Sequence, residues 1–210
     1  MGLTDRDIEK IKDIFSDQFL NNIAEKVMQI IDRKYKEKFK AQEKAIGLLQ
    51  QEIDDLKNSK RQAEDAFDNL EQASRSLNIR VFGVPINKNE NLHSKMIDIF
   101  NKNMNVNIDA SHIKKCHRIT SRSPGDKPPA VLVRFVNDIE RTAVLKNRKY
   151  LKSTGIQVKE DLTKNRLTLL SEAIKRFSSK QAWCFNGVVY VKIGDKVHRV
   201  SHSDELKNLK

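Results

Sequence analysis

Leu70-Glu71-Gln72-Ala73-Ser74-Arg75-Ser76-Leu77-Asn78-Ile79-Arg80-Val81-Phe82-Gly83-Val84-Pro85 changes its hydrophobic period in mid-course. Up to Leu77 the apolar positions continue a series with alternating steps of three and four, the spacing of a helix that buries one seam against another helix. From Asn78 they alternate one by one, as in a strand, until Pro85 removes a ladder donor and stops it. The chain is therefore expected to pass from rod-like helix to sheet between residues 77 and 78.

Upstream, with Phe39 at an a position, the series reads Phe39, Gln42, Ile46, Leu49, Ile53, Leu56, Lys60, Ala63, Phe67, Leu70, Ser74, Leu77. Between Leu3 and Leu77 there is no proline and only one glycine, Gly47, so a nearly continuous helix is expected over residues 1–77. Ile8, Ile11, Phe15, Phe19, Ile23, Val27, Ile30 and Ile31 carry the stripe further upstream with a phase shift, consistent with a stutter. At 1.5 Å per residue such a helix is about 110 Å long, more than a domain made from the rest of the chain could cover. Self-association is the better expectation. Phe39, Ile46, Leu49, Ile53, Leu56, Lys60, Phe67, Leu70 and Leu77 are the candidate oligomerisation residues. Gln42, Lys60 and Ser74 weaken an apolar seam but fix its register, and the mixture of Ile and Leu leans towards three strands.

Downstream, Leu92 to Phe100 repeats at three and four as a helix, Ile113 to Ile119 and Ala130 to Val136 alternate as strands, Ile139 to Tyr150 is a second helix, and Gly155 to Val158 is a fourth strand. Ser121 to Pro129 reads as a basic loop. The order is β-α-β-β-α-β, the ferredoxin-like arrangement of RNA-recognition domains, and it is expected over residues 78–158. Two helices then cover one sheet face and leave the other open. Period two places Asn78, Arg80 and Phe82 on one face of the first strand, and Leu132 and Arg134 on one face of the third. If those faces are the open one, Arg80 and Arg134 project together. Their guanidinium groups need either a phosphate or stacked base, or an Asp or Glu from a flanking segment. Phe135 points the other way, into the core. With Phe82 as the face's one aromatic, binding would rest on phosphates and guanidinium stacking with little base selectivity.

Residues 159–210 read as a small α+β domain. Thr163 caps a helix that runs to about Phe177, Asn186-Gly187 turns a hairpin, a short strand follows at Lys196 to Val200, and a final helix opens at Ser201 or Ser203. Arg166, Lys175, Arg176 and Lys180 lie away from the helix's leucine stripe, either as a clamp on a bound strand or as an ordinary solvated face. The fold class overall is α+β.

Charge separates along the same line. Residues 1–77 hold 14 Lys/Arg against 16 Asp/Glu, whereas residues 78–210 hold 26 against 12, a balance of +14. A polyanion held by the C-terminal part suits that asymmetry. No P-loop, nucleophile elbow or zinc-protease motif is present, so no enzymatic activity is expected. Cys116 and Cys184 belong to no C-x-x-C pair, and neither they nor His112, His117, His198 and His202 have the spacing of a zinc finger; no metal or cofactor is expected. No apolar run is long enough for a membrane span and the first residues are charged, so the cytosol or nucleus is the expected location.

The stretch from Leu70 to Pro85 resembles the junction between coiled coil and RNA-recognition domain in the first-open-reading-frame proteins of LINE-type retrotransposons. His117-Arg118-Ile119, Val131-Leu132-Val133-Arg134-Phe135, Glu160-Asp161-Leu162-Thr163, and Trp183 with Asn186-Gly187-Val188-Val189-Tyr190-Val191-Lys192 are similar to later landmarks of that family. The likeness spans about residues 40 to 210. It implies a homotrimer, sequence-tolerant binding of single-stranded RNA and DNA, and nucleic-acid chaperone activity in a ribonucleoprotein. By motif position it implies nucleic-acid contacts for Asn78, Arg80 and Arg134; the loop residue Arg122 lies where the family is also basic, and Arg118 is a further candidate contact. The seam from Phe39 to Leu77 lacks an Arg-x-x-x-Glu trimer signal, and no zinc knuckle is seen. Residues 159–210 also resemble the second domain of the baculovirus few-polyhedra protein, which leaves a viral or host coiled-coil structural or adaptor protein as the alternative reading.

Overall fold

The computed structural model describes residues 4–14, 17–119 and 128–209. The chain is mixed helix and sheet with a long N-terminal helical region, and it divides into two compact units, residues 1–63 and 64–210.

The first unit contains α1 (Asp5–Ile14) and most of α2 (Asp17–Ser74), a helix of 58 residues. Its seam residues Phe39, Ile46, Leu49, Ile53 and Leu56 are all exposed. Phe15, part of the expected upstream stripe, lies outside the described residues. Leu77 does not belong to the seam. The helix stops at Ser74, and the amides of Arg75, Ser76 and Asn78 bond three residues back to Gln72, Ala73 and Arg75, tightening the exit. Leu77 follows in this turn, half-buried, its carbonyl accepting from the Phe135 amide at 3.0 Å.

The second unit begins with the last turns of α2. Residues 64–74 thus belong to the same compact unit as the sheets. The elements that follow are β1 (Asn78–Phe82), α3 (Leu92–Met104), β2 (Ile113–Arg118), β3 (Val131–Phe135), α4 (Asp138–Asn147) and β4 (Gln157–Glu160). They form a four-stranded antiparallel sheet in the order β2-β3-β1-β4. Asn91 caps α3 by accepting from the Ser94 amide, and Asn137 caps α4 by accepting from Ile139. Ile79, Val81, Val131, Val133 and Phe135 fill one sheet face and bury against Met96, Phe100 and Met104 of α3 and Val144 of α4. Both helices therefore pack on the same face. Gly83 takes φ +79°, and a Cβ there would strike the Gly155 carbonyl, so only glycine lets β1 leave the sheet at that point. β4 starts two residues later than expected because Gly155 (φ +73°) is still in the turn. It continues to Glu160, so the boundary expected between residues 158 and 159 falls inside a strand.

The remaining elements are α5 (Lys164–Phe177), β5 (Ala182–Phe185), β6 (Val188–Ile193), β7 (Lys196–Val200) and α6 (Ser203–Asn208). The strands form an antiparallel sheet in sequence order. Thr163 caps α5 as expected, and α6 begins at Ser203, one of the two expected serines, with His202 at the cap position. Asn186 and Gly187 both have positive φ, the requirement of a tight hairpin turn. Ala182, Val189, Val191 and Val200 bury against Leu169 and Ala173 of α5 and Leu206 of α6.

Candidate nucleic-acid interface

The face of the four-stranded sheet opposite α3 and α4 carries the candidate residues. Directly paired residues share a face, so the β1–β3 register, Asn78 with Arg134 and Arg80 with Leu132, sets Arg80 and Arg134 on this face in adjoining rows. Lys115 pairs with Arg134, and His117 with Leu132, from β2; Lys159 pairs with Arg80, and Gln157 with Phe82, from β4. Lys159 also places its Nζ 5.5 Å from the centre of the Phe82 ring. The juxtaposition of Arg80 and Arg134 expected from the period is present.

Their surroundings differ. Ile79 pairs with Glu160, so the next residue, Asp161, comes to lie on the open face beside Asn78. Its carboxylate is 4% exposed and accepts from Arg80 Nε at 2.6 Å, Arg75 Nη1 at 3.1 Å and Asn78 Nδ2 at 3.0 Å. Arg80 is thus paired with an Asp from a flanking segment, one of the two alternatives the sequence left open. Asn78 is buried with its amide donor taken. Arg134 is not paired in this way: its Nε is buried and has no hydrogen-bond partner among the described residues.

Asp161 also belongs to a network that holds the end of α2. Its carbonyl accepts from Gln72 Nε2, and Gln72 Oε1 accepts from the Thr163 amide, both at 3.0 Å. The Thr163 hydroxyl donates to Asp68 at 2.6 Å. Arg166, a candidate ligand contact from the sequence, is part of the same network. It donates to Asp68 at 2.7 Å, Asn69 at 2.6 Å and the Gly187 carbonyl at 2.9 Å. These bonds join α2, α5 and the hairpin turn and engage all three guanidinium nitrogens, so Arg166 has a structural role in the fold.

Arg118 is held in the fold in the same way. Five hydrogen bonds tie it to both Glu90 oxygens and to the carbonyls of Val84, Pro85 and Pro129. Hydrogen bonding to Arg118 holds the Glu90 carboxyl down at about 2. Arg176 reaches the Lys207 and Leu209 carbonyls, at 3.3 and 3.1 Å, and closes the end of α6. Lys180 is exposed, and Arg122 lies outside the described residues.

Lys175 lines a groove of about 720 Å³ between β4 on one side and α5 and β5 on the other. Arg148, Lys152 and Lys159 add positive charge to it, and Leu167, Ile174 and Trp183 add apolar surface. Lys159 belongs both to the open sheet face and to the groove. Sequence reasoning missed Arg148, Lys152 and Lys159. The signal for Lys159 was its period-two relation to Gln157 and Asp161.

Arg141 was missed as well. It is 4% exposed, in reach of Glu160 (3.2 Å), Asp138 (3.3 Å) and Asn186 (3.1 Å), while Glu160 accepts from the Asn186 and Gly187 amides. The pairing binds α4 and β4 to the β5–β6 turn. Burial pushes the Cys116 thiol up to about 11 and the Cys184 thiol up to about 12, so both are protonated at neutral pH. Among the described residues no helix is long and apolar enough to cross a membrane. Comparison with protein-family models gives no match, and comparison with curated proteins gives none either.

Proposed function

We propose that this protein is a self-associating, sequence-tolerant binder of single-stranded RNA and DNA, acting as a nucleic-acid chaperone in the manner of the retrotransposon proteins it resembles. The observation that carries the reading is Arg134. A buried guanidinium nitrogen without a partner among the described residues, on an open sheet face and directly opposite Lys115, is poised for a ligand that brings an acceptor. Residues 78–210 carry a balance of +14, so that ligand is an anion, and a phosphate satisfies the geometry and the charge together. The strand order β2-β3-β1-β4, with α3 and α4 on one face, supports a ferredoxin-like RNA-recognition domain here. The groove between β4 and α5 continues the basic surface from Lys159 to Lys175.

The exposed apolar stripe of α2 supports self-association, because Ile46, Leu49, Ile53 and Leu56 are each about half exposed or more in the single chain. Three copies are favoured by the residue mixture at a and d. Several basic units on one assembly bind a long strand by avidity.

The test is anisotropy of a labelled oligo(U) titrated with protein at a series of salt concentrations. Affinity is expected to fall with a log–log slope of about −0.7 per contacted phosphate, and Arg134→Ala is expected to weaken binding severalfold with the oligomer mass unchanged. Absence of single-strand affinity at about 100 mM salt would leave the adaptor reading in its place.

A further inference from the structure

The three-stranded sheet has its own uncovered face. Ala182, Cys184, Val189, Val191 and Val200 point towards α5 and α6, so the residues paired between them point the other way. The register fixes which these are: Trp183 lies opposite Tyr190 and Tyr190 opposite Arg199, Phe185 lies opposite Val188, and Lys192 lies opposite Val197. Trp183 and Tyr190 are stacked with ring centres 6.0 Å apart and planes 20° from parallel. Phe185 is 53% exposed, and Lys192 and Arg199 are exposed with no hydrogen bond or ion pair to another described residue. None of these face positions is a carboxylate.

We infer that this face is a base-stacking platform for single-stranded nucleic acid, with Trp183, Tyr190 and Phe185 receiving unstacked bases and Arg199 and Lys192 holding the adjoining phosphates. Phe185 is exposed and Trp183 and Tyr190 are half-buried, so three aromatic side chains on one sheet face meet water at least in part, and every nucleobase has an apolar face that fits against them. The cations select the occupant. Two unpaired positive groups beside the rings favour a ligand that alternates planar apolar surface with negative charge. Continuity supports the same occupant: Trp183 lines the basic groove that Lys159 and Lys175 also line, so a strand leaving the groove reaches the aromatic pair directly. The inference rests on the proposed function and adds to it the part of the ligand that is read. The open face of the four-stranded sheet, where Phe82 is the one phenyl ring among the described residues, holds phosphates, and the three-stranded sheet holds bases.

Trp183 is the chain's single tryptophan, so the intact protein reports on the platform without modification. Titration with oligo(dT) is followed by tryptophan fluorescence and by anisotropy of the labelled oligonucleotide in parallel, with an abasic oligomer of the same length as the second ligand. Oligo(dT) is expected to quench the tryptophan, and the abasic oligomer to bind without quenching. Phe185→Ser with Arg199→Ala, two exposed positions that leave both cores intact, is expected to weaken oligo(dT) binding by roughly tenfold and abasic binding only by the smaller factor due to the lost Arg199–phosphate contact. Binding by anisotropy with unchanged fluorescence and an unaffected double variant would overturn the platform while leaving single-strand binding in place. No anisotropy change with either ligand would overturn both.

Discussion

The two sheets of residues 64–210 treat their outer-face cations in opposite ways. On the four-stranded sheet Arg80 is drawn onto Asp161, which also takes Arg75 and Asn78. On the three-stranded sheet Arg199, opposite Tyr190, and Lys192, opposite Val197, share a face with the aromatic residues and no carboxylate. A guanidinium satisfied by a buried carboxylate fastens elements together, whereas one without a counter-charge is available to a ligand. Residue type and face are the same in the two cases. The presence of a carboxylate within reach decides the role, and by that criterion Arg134 sides with Arg199 and not with its neighbour Arg80.

The comparison is most exposed to removal of that carboxylate. Asp161→Asn keeps the shape but leaves Arg80 without its charge partner and Arg75 with Glu71 alone, and should lower unfolding free energy by about 2–3 kcal/mol, at or below the bottom of the range for a broken buried pair because both guanidinium groups keep some water. Urea denaturation at neutral pH measures this, and a variant as stable as the parent would mean that Asp161 does not fasten the face. Arg166→Ala removes the bonds to Asp68, Asn69 and Gly187 and is expected to cost about 1.5–2 kcal/mol in the same assay. A large drop in affinity with little change in stability would instead return Arg166 to the binding surface.

The smallest effect concerns acid stability. Glu90 has its carboxyl held at about 2, below its ordinary 4.5, chiefly by the hydrogen bond from Arg118. Its contribution is therefore complete above about pH 4.5 and is lost as pH falls towards 2. In Glu90→Gln the decline of stability across that interval should be shallower, which denaturation midpoints at stepped pH would reveal. An identical slope would separate Arg118 from Glu90 in function and reopen its guanidinium to ligands.

A second contrast runs along α2. Before Ala63 the seam residues are exposed and, Gln42 and Lys60 apart, apolar; after it Phe67 and Leu70 stay exposed while Asp68, Asn69 and Gln72 turn polar side chains onto Asp161, Thr163 and Arg166. Heptad spacing continues through both parts, so periodicity alone extends the seam to Leu77. The difference lies at the positions between the seam residues, where Asp68 and Gln72, four apart, share a helix face and meet the Asp161–Arg166 segment.

Local pattern by itself determined a good deal about this protein. Periods of two and of three to four located the strands and helices, assigned Ile79, Val81, Val133 and Phe135 to the core and Arg80 and Arg134 to the opposite face, and the Thr163 cap and Asn186-Gly187 turn followed from short-range backbone chemistry. The tertiary structure alone decided which of those face residues are spent on the fold. Arg80 meets a carboxylate 81 positions away, Arg75 the same one at 86, and Arg166 meets Asp68 at 98. The physical reason is that alternation states which side of an element a side chain leaves from, whereas an ion pair depends on distances of a few ångströms between elements brought together only by folding.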